Sequence, residues 1–179
     1  MIDYYETKSQ PITRKMVWEA YQEVRSKRGG SGVDGMTWNM LDKHAKGHLY
    51  KLWNRLSSGS YFPPPVLEVE IAKKDGGLRK LGIPTLLDRI AQQVVRKQLE
   101  IQLEPLFHGS SYGYRPNRSA HDAVAQSQRN CFNHDFALDL DIKSYFDTID
   151  HDLMMKALNR MCFVVRSGSV GLLVHLRVG

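Results

Sequence analysis

Cysteine is scarce: Cys131 and Cys162 are the two in 179 residues. That number cannot build a disulfide framework, and it points to a reducing, cytoplasmic setting. Long apolar runs are missing as well, which removes a membrane-spanning helix from consideration. The opening residues, MIDYYETKSQ, are polar where a secretory leader needs a basic start and an apolar stretch. No phosphate loop ending in GKS or GKT occurs, and no G-x-S-x-G nucleophile elbow. The cysteines lie far apart in sequence, without the close pairing of a structural zinc site. Internal repeats and low-complexity segments are absent too.

What remains is a chain able to fold. Hydrophobic residues make up 42% and charged residues 25%, which excludes disorder, and the length suits one domain or somewhat more. The net charge is +6. Its distribution is uneven: Lys and Arg exceed Asp and Glu up to residue 133, whereas every acid from 134 onward is an aspartate between Asp135 and Asp152. A basic body meeting a short aspartate cluster suits a protein that holds polyanionic phosphate together with a divalent cation. A mildly basic solvated surface would give the same charge.

Periodicity places the elements. Val17, Ala20, Tyr21 and Val24 form a helical stripe over 13–27, with Thr13 as N-cap. A second amphipathic helix is expected over 39–57, with Leu41, Leu49, Leu52, Trp53 and Leu56 inward. VLEVEIAK (66–73) alternates as a strand, Asp75-Gly76-Gly77 supplies a hairpin turn, and LRKLGIP returns. Pro84 ends that strand, and a helix is expected over 86–104. SYGYRPNRS is a turn-rich basic loop, and Ser119 caps a helix over 120–130. FALDLDIK (136–143) alternates again, with Phe136, Leu138, Leu140 and Ile142 on one face and Asp139 and Asp141 on the other. Asp150 is an N-cap for a helix through Leu158. After Arg160 the period is lost and no acid occurs, as in a buried strand pair or in a truncated or frame-shifted reading.

Gly30-x-Gly32-x-x-Gly35 matches the dinucleotide fingerprint by letter, but a helix precedes it where the fingerprint needs a strand. A flexible loop is the better reading, with Lys27 and Arg28 placed to touch a phosphate backbone. Lys73, Lys74 and Arg79 gather cations at one end of the hairpin and could clamp a triphosphate. Asp141 closes a strand where a carboxylate can hold Mg2+, and the Ile142 carbonyl lies next to it. Asp139 shares that face and is equally readable as a solvated or salt-bridged acid.

Taken in order, these segments resemble the reverse transcriptases encoded by group II introns. GSGVDGMTW is similar to an N-terminal block of that family. The run from YFPPP through LGIP to DRIAQQ is similar to its first polymerase block, SSYGYRPNRSAHDAV to its second and FALDLDIKSYFDTIDHD to its third. The resemblance implies an α+β fold: a helical N-terminal extension (1–60), fingers (61–134) and the first strand and helix of a ferredoxin-like palm (135–160). Residues 161–179 form an atypical tail outside the family pattern.

The resemblance also implies RNA-directed DNA synthesis. Asp141 and the Ile142 carbonyl would bind Mg2+, as part of a two-metal site that is incomplete here. Lys73 and Arg79 would grip the deoxynucleoside triphosphate, and Phe146 would lie under its sugar and disfavour a 2′-hydroxyl. Arg115 and Arg118, with Lys27 and Arg28, would face RNA template, while Asp88 and Arg89 would hold the helix against the fingers hairpin. The implied partners are template or intron RNA and a DNA primer, with no membrane, and a homodimer through the fingers is allowed. No counterpart of the family's YADD-type run is present, so this stretch alone is expected to be inactive. The alternatives are an RNA-binding maturase, or a retron, diversity-generating or CRISPR-associated relative.

Overall fold

The computed structural model describes residues 8–72, 76–143 and 145–161, with the backbone alone at Phe146, Asp147 and Met161. Helix α1 (Arg14–Ser26) begins where the Thr13 hydroxyl accepts from the Met16 amide at 3.2 Å, satisfying a donor that has no partner within the helix. Its stripe of Val17, Ala20, Tyr21 and Val24 is buried, as the spacing requires.

The single helix expected over 39–57 is two, α2 (Trp38–Lys43) and α3 (Ala45–Ser57). His44 leaves the helical region at φ −127°, and its amide closes a tight turn on the Leu41 carbonyl at 3.2 Å. A tertiary pairing accompanies the break: Asp42 accepts from the Tyr21 hydroxyl at 2.5 Å and from Arg25 Nη2 at 2.6 Å on α1. The Arg25 guanidinium, and then the Tyr21 hydroxyl, hold the Asp42 carboxyl below the usual range. The five inward residues of 39–57 are nonetheless all buried.

Strands β1 (Leu67–Ala72) and β2 (Leu78–Ile83) pair antiparallel, with Leu67 opposite Ile83 and Ala72 opposite Leu78. Gly76 takes φ +86° in the connection, a backbone that glycine adopts without steric cost. Most side chains on both faces of this ribbon are exposed. Its anchor is the run Pro84–Thr85 into helix α4 (Leu86–Leu103), where the Thr85 hydroxyl caps the Asp88 amide at 3.2 Å.

Helix α4 organises the rest. Leu86, Ile90, Ala91 and Val94 join the α1 and α3 stripes in the main core, whose largest fully buried side chain is Trp53. Further along, Val95, Leu99 and Leu103 meet Met154, Met155 and Leu158 of helix α7 (His151–Met161). Between these come α5 (Ala120–Cys131), capped by Ser119 in a reciprocal box with Asp122, and the short α6 (Tyr145–Thr148). Asp150 caps α7, accepting from the Leu153 amide at 3.0 Å. The described elements therefore make an α+β fold.

The alternating segment 136–143 is not a strand. It runs as irregular chain, with Phe136 94% and Ile142 68% exposed. A strand exists only by pairing, and the ladder of this fold, among the described residues, is confined to β1 and β2. The tail expected to be atypical lies, from 162 on, outside the described residues.

One polar node sits inside the core region. The Tyr61 hydroxyl donates to Asp88 Oδ1 at 2.8 Å and Gln92 Nε2 to Asp88 Oδ2 at 2.9 Å, joining the segment before the hairpin to the first turns of α4. Burial pushes the Asp88 carboxyl up, and the two donors pull it partly back. The folded chain thus binds this proton more tightly than the unfolded chain does. Its ionisation weakens the fold as pH rises from the ordinary carboxylate value of 3.8 through the raised one. Asp88→Asn keeps an acceptor for Tyr61 without the charge, so its urea midpoint relative to wild type should rise with pH across that window and then level off. Tyr61→Phe should cost about 1–3 kcal/mol by leaving a buried acceptor short of a donor.

Candidate functional site

The loop after α1 is pinned, not flexible as its glycines suggested. Arg28 turns the chain with φ +49°, and Lys27 Nζ stays 3.8 Å from Glu23 on the helix. Beyond them, Trp38 Nε1 donates to the Gly29 carbonyl at 2.9 Å, and Arg89 Nη2 donates to the Gly30 carbonyl at 2.6 Å. Arg89 Nε also donates to the Pro84 carbonyl at 3.0 Å, so one guanidinium bridges the loop to the junction of β2 and α4. Gly32 packs so closely there that a Cβ would lie 2.7 Å from the Thr85 backbone. Gly32 alone of the pattern serves a backbone-to-backbone approach, and Lys27 and Arg28 are exposed at the edge of the loop.

A groove of about 670 Å³ opens beside this loop, between the end of α1, the middle of α4 and residues 107–116. Val95, Leu99 and Phe107 line it together with Lys27, Arg89 and Arg96. An apolar lining among cations can take the faces of bases while the cations meet phosphates. Glu100 and Glu104 line it as well, which tempers the positive field.

The Arg115 guanidinium is engaged within the chain. The side chain is 8% exposed. Nη2 donates to Glu104 Oε1 at 2.7 Å, and Nη1 donates to the His108 and Ser111 carbonyls at 2.8 and 2.9 Å. The planar fork is spent closing the turn-rich loop, a use that residue type alone does not distinguish from phosphate binding. Arg118 is different: it is exposed, with its guanidinium 5.3 Å from the Tyr112 ring.

The hairpin cations are only partly described. Arg79 is exposed opposite Ile71 in the ladder, whereas Lys80 is paired with Glu68 at 2.8 Å. Lys73 lies outside the described residues, and so does the other expected clamp cation, Lys74. Phe146 falls in α6, where only its backbone is described.

Asp141 and Ile142 are exposed in the irregular segment just before α6, and Asp139 is exposed two residues earlier. The rigid strand edge expected beneath them is not formed. Among the described residues, no group of three His, Cys, Asp or Glu gathers as a metal site. The donor chemistry still fits magnesium: a solvent-facing carboxylate beside a backbone carbonyl offers hard oxygens to an ion that takes one or two carboxylates and keeps waters. No helix among the described residues is long and apolar enough to cross a membrane.

Sequence reasoning missed Arg89 as the clasp of the glycine loop and Glu104 as the sink for Arg115. Both pairings join residues whose approach is set by α4, and neither has a local pattern. Arg115→Ala leaves Glu104 without its partner. It should destabilise the chain by about 1–3 kcal/mol, the range for losing charged hydrogen bonds, because Glu104 keeps 29% exposure and can be rehydrated. Chemical denaturation with tryptophan fluorescence would measure it.

The model of the family described as reverse transcriptase (RNA-dependent DNA polymerase) matches residues 71–168, more than half of the chain. Protein YkfC of Escherichia coli K12 is 39% identical over 149 residues, covering 79% of this chain and 39% of that protein. The group II intron-encoded protein LtrA of Lactococcus lactis is 37% identical over 141 residues, covering 78% of this chain and 23% of LtrA. A putative COX1/OXI3 intron 1 protein of Saccharomyces cerevisiae is 32% identical over 161 residues, covering 90% of this chain and 19% of that protein. The chain therefore spans between about a fifth and two-fifths of the length of these relatives. With its second polymerase block, the hairpin strand β2 and the Asp141 segment all inside the matched region, the chain belongs to the reverse transcriptase (RNA-dependent DNA polymerase) family.

Proposed function

We propose that this chain carries the fingers and the opening of the palm of a group II intron reverse transcriptase and maturase, which copies RNA into DNA and binds its intron RNA. The family match over 71–168 supports the reading most directly, because it takes in Arg79, Asp141 and Phe146 in order, and relatives with intron-encoded names extend the likeness toward the N-terminus. Those relatives favour an intron origin over the retron, diversity-generating and CRISPR-associated alternatives.

In this reading Asp141 and the Ile142 carbonyl hold Mg2+. Bound there, the ion supplies Lewis acidity to phosphoryl oxygens. The chain's own residues do the positioning. Lys73 and Arg79, which flank the hairpin turn in sequence, hold the triphosphate of an incoming deoxynucleotide, Arg as a planar fork and Lys as a point charge. Phe146 sits one helical start beyond Asp141, where a bulky ring excludes a 2′-hydroxyl. Lys27, Arg28 and Arg118 meet template phosphates, and the clasp at Arg89 keeps the first two in register with the hairpin junction. The DNA primer end lies against Asp141. Two copies can associate through the exposed ribbon, and the compartment is the cytoplasm.

A chimera tests the chemistry: residues 27–160 replace the matching segment of LtrA, and cDNA synthesis on a poly(rA)/oligo(dT) substrate is measured with Mg2+. The parent chimera should extend the primer. Asp141→Ala should bring extension to background while leaving RNA affinity unchanged, and persistent extension would refute the metal assignment. In the same chimera, Lys27→Glu with Arg28→Glu tests the maturase side. It should weaken RNA binding and lower the slope of log affinity against log salt by about 1.4, since each phosphate contact on a single strand contributes about 0.7. An unchanged slope would remove these two residues from the RNA interface.

A further inference from the structure

Helix α3 departs from the way α1 and α4 manage surface charge. On α1, Lys15 and Lys27 each sit four residues from a glutamate, at 3.9 and 3.8 Å, and on α4 Arg96 sits 3.5 Å from Glu100. Such i,i+4 pairing is how a solvated helix face normally offsets its cations. Between Asp42 and Glu68 no acidic residue occurs at all, while Lys43, Lys46, Lys51 and Arg55 do. All four are exposed, and no described carboxylate lies within ion-pair distance of any of them.

An aromatic is set among these charges. Tyr50 lies four residues from Lys46 and next to Lys51, and it stays 49% exposed. Its ring is propped, not loose: the Trp53 ring lies 5.6 Å away at 44°, and the Arg14 guanidinium lies 5.0 Å from its centroid. Lys8 adds a further cation, its Nζ 5.4 Å from the Trp53 ring and donating to Asn54 Oδ1, one turn beyond Tyr50. Trp53 itself is anchored through Nε1 to the Ile12 carbonyl at 2.9 Å. The platform is therefore built on the core.

We propose that this flank of α3, formed by Lys46, Tyr50 and Lys51 with Lys8 and Arg14 beside them, is a binding site for single-stranded RNA. It is additional to the glycine loop, and it rests on the reading of the chain as an RNA-handling protein. The chemistry selects the partner. Uncompensated lysines attract a phosphate backbone, and a held, half-open ring stacks an unpaired base of any identity. A duplex hides its base faces and would leave Tyr50 unused. A membrane surface asks for an apolar face to insert, and among the described residues of α3 Tyr50 is the one large hydrophobic side chain left exposed.

The test uses the chain as it stands and a labelled, unstructured RNA about 12 nucleotides long, within the span of common single-strand sites. Fluorescence anisotropy should show Tyr50→Ala weakening single-strand binding about 5- to 100-fold, the range for loss of one stacked base, with duplex binding unaffected. Lys46→Gln with Lys51→Gln should lower the salt slope by about 1.4. In parallel, 4-thiouridine RNA cross-linked to the unsubstituted chain and mapped by mass spectrometry should mark the peptide holding Tyr50, a readout that no folding defect can mimic.

Cross-links confined to residues near Lys27 and Arg28, with Tyr50→Ala without effect, would overturn this site and leave the proposed function standing. Absence of any RNA binding by the unsubstituted chain would overturn both. Binding to phosphatidylserine vesicles that the double lysine substitution abolishes, with RNA binding untouched, would assign the patch to a membrane and overturn the proposal.

Discussion

Helix α4 serves two cores at once, and the rest of the structure hangs on that double burial. Its early turns place Leu86, Ile90 and Val94 among the stripes of α1 and α3. Its later turns carry Val95, Leu99 and Leu103 against α7. Apolar area removed from water on both halves is the largest stabilising contribution available to a chain of this size. The first turn also bears the Thr85 cap, the Asp88 node and the Arg89 clasp, so the glycine loop and the hairpin junction are both referred to one helix end.

That arrangement divides the site into a held part and an unsupported part. The glycine loop is fixed by two side-chain donors and one close backbone approach, and the loop after α4 is fixed by the part-buried Arg115–Glu104 pair. The hairpin, by contrast, is a two-stranded ribbon with few buried side chains, and the Asp141 segment has no ladder at all among the described residues. Positioning of a carboxylate to within a fraction of an ångström needs a rigid element under it. The alternation of Phe136, Leu138, Leu140 and Ile142 supplies an apolar face ready to pack, and pairing partners are what would convert it into such an element.

Membership in the reverse transcriptase family rests on ordered blocks, with no single residue carrying it. The match begins within β1, passes through the hairpin, α4 and α5, and takes in the aspartate-bearing segment. Relatives that match the chain over most of its length include proteins named for the introns that encode them. The α3 flank falls outside the matched family region, in the helical N-terminal part where the sequence holds no acid for a long stretch.

Local signals in the sequence were sufficient for the elements whose cause is local. Thr13, Ser119 and Asp150 mark helix starts because a short polar side chain can reach an amide two or three residues on. The stripes of α1 and α3, the hairpin and the family resemblance were legible for the same reason: each is written in near-neighbour spacing. Tertiary structure decided what spacing cannot encode. It broke the helix at His44, where Asp42 pairs with α1, and it withheld the 136–143 strand, which needs a partner to exist. It spent Arg115 on Glu104 and set Arg89 to clasp a loop 59 residues away, because a guanidinium binds whichever oxygen the packing of α4 brings within reach.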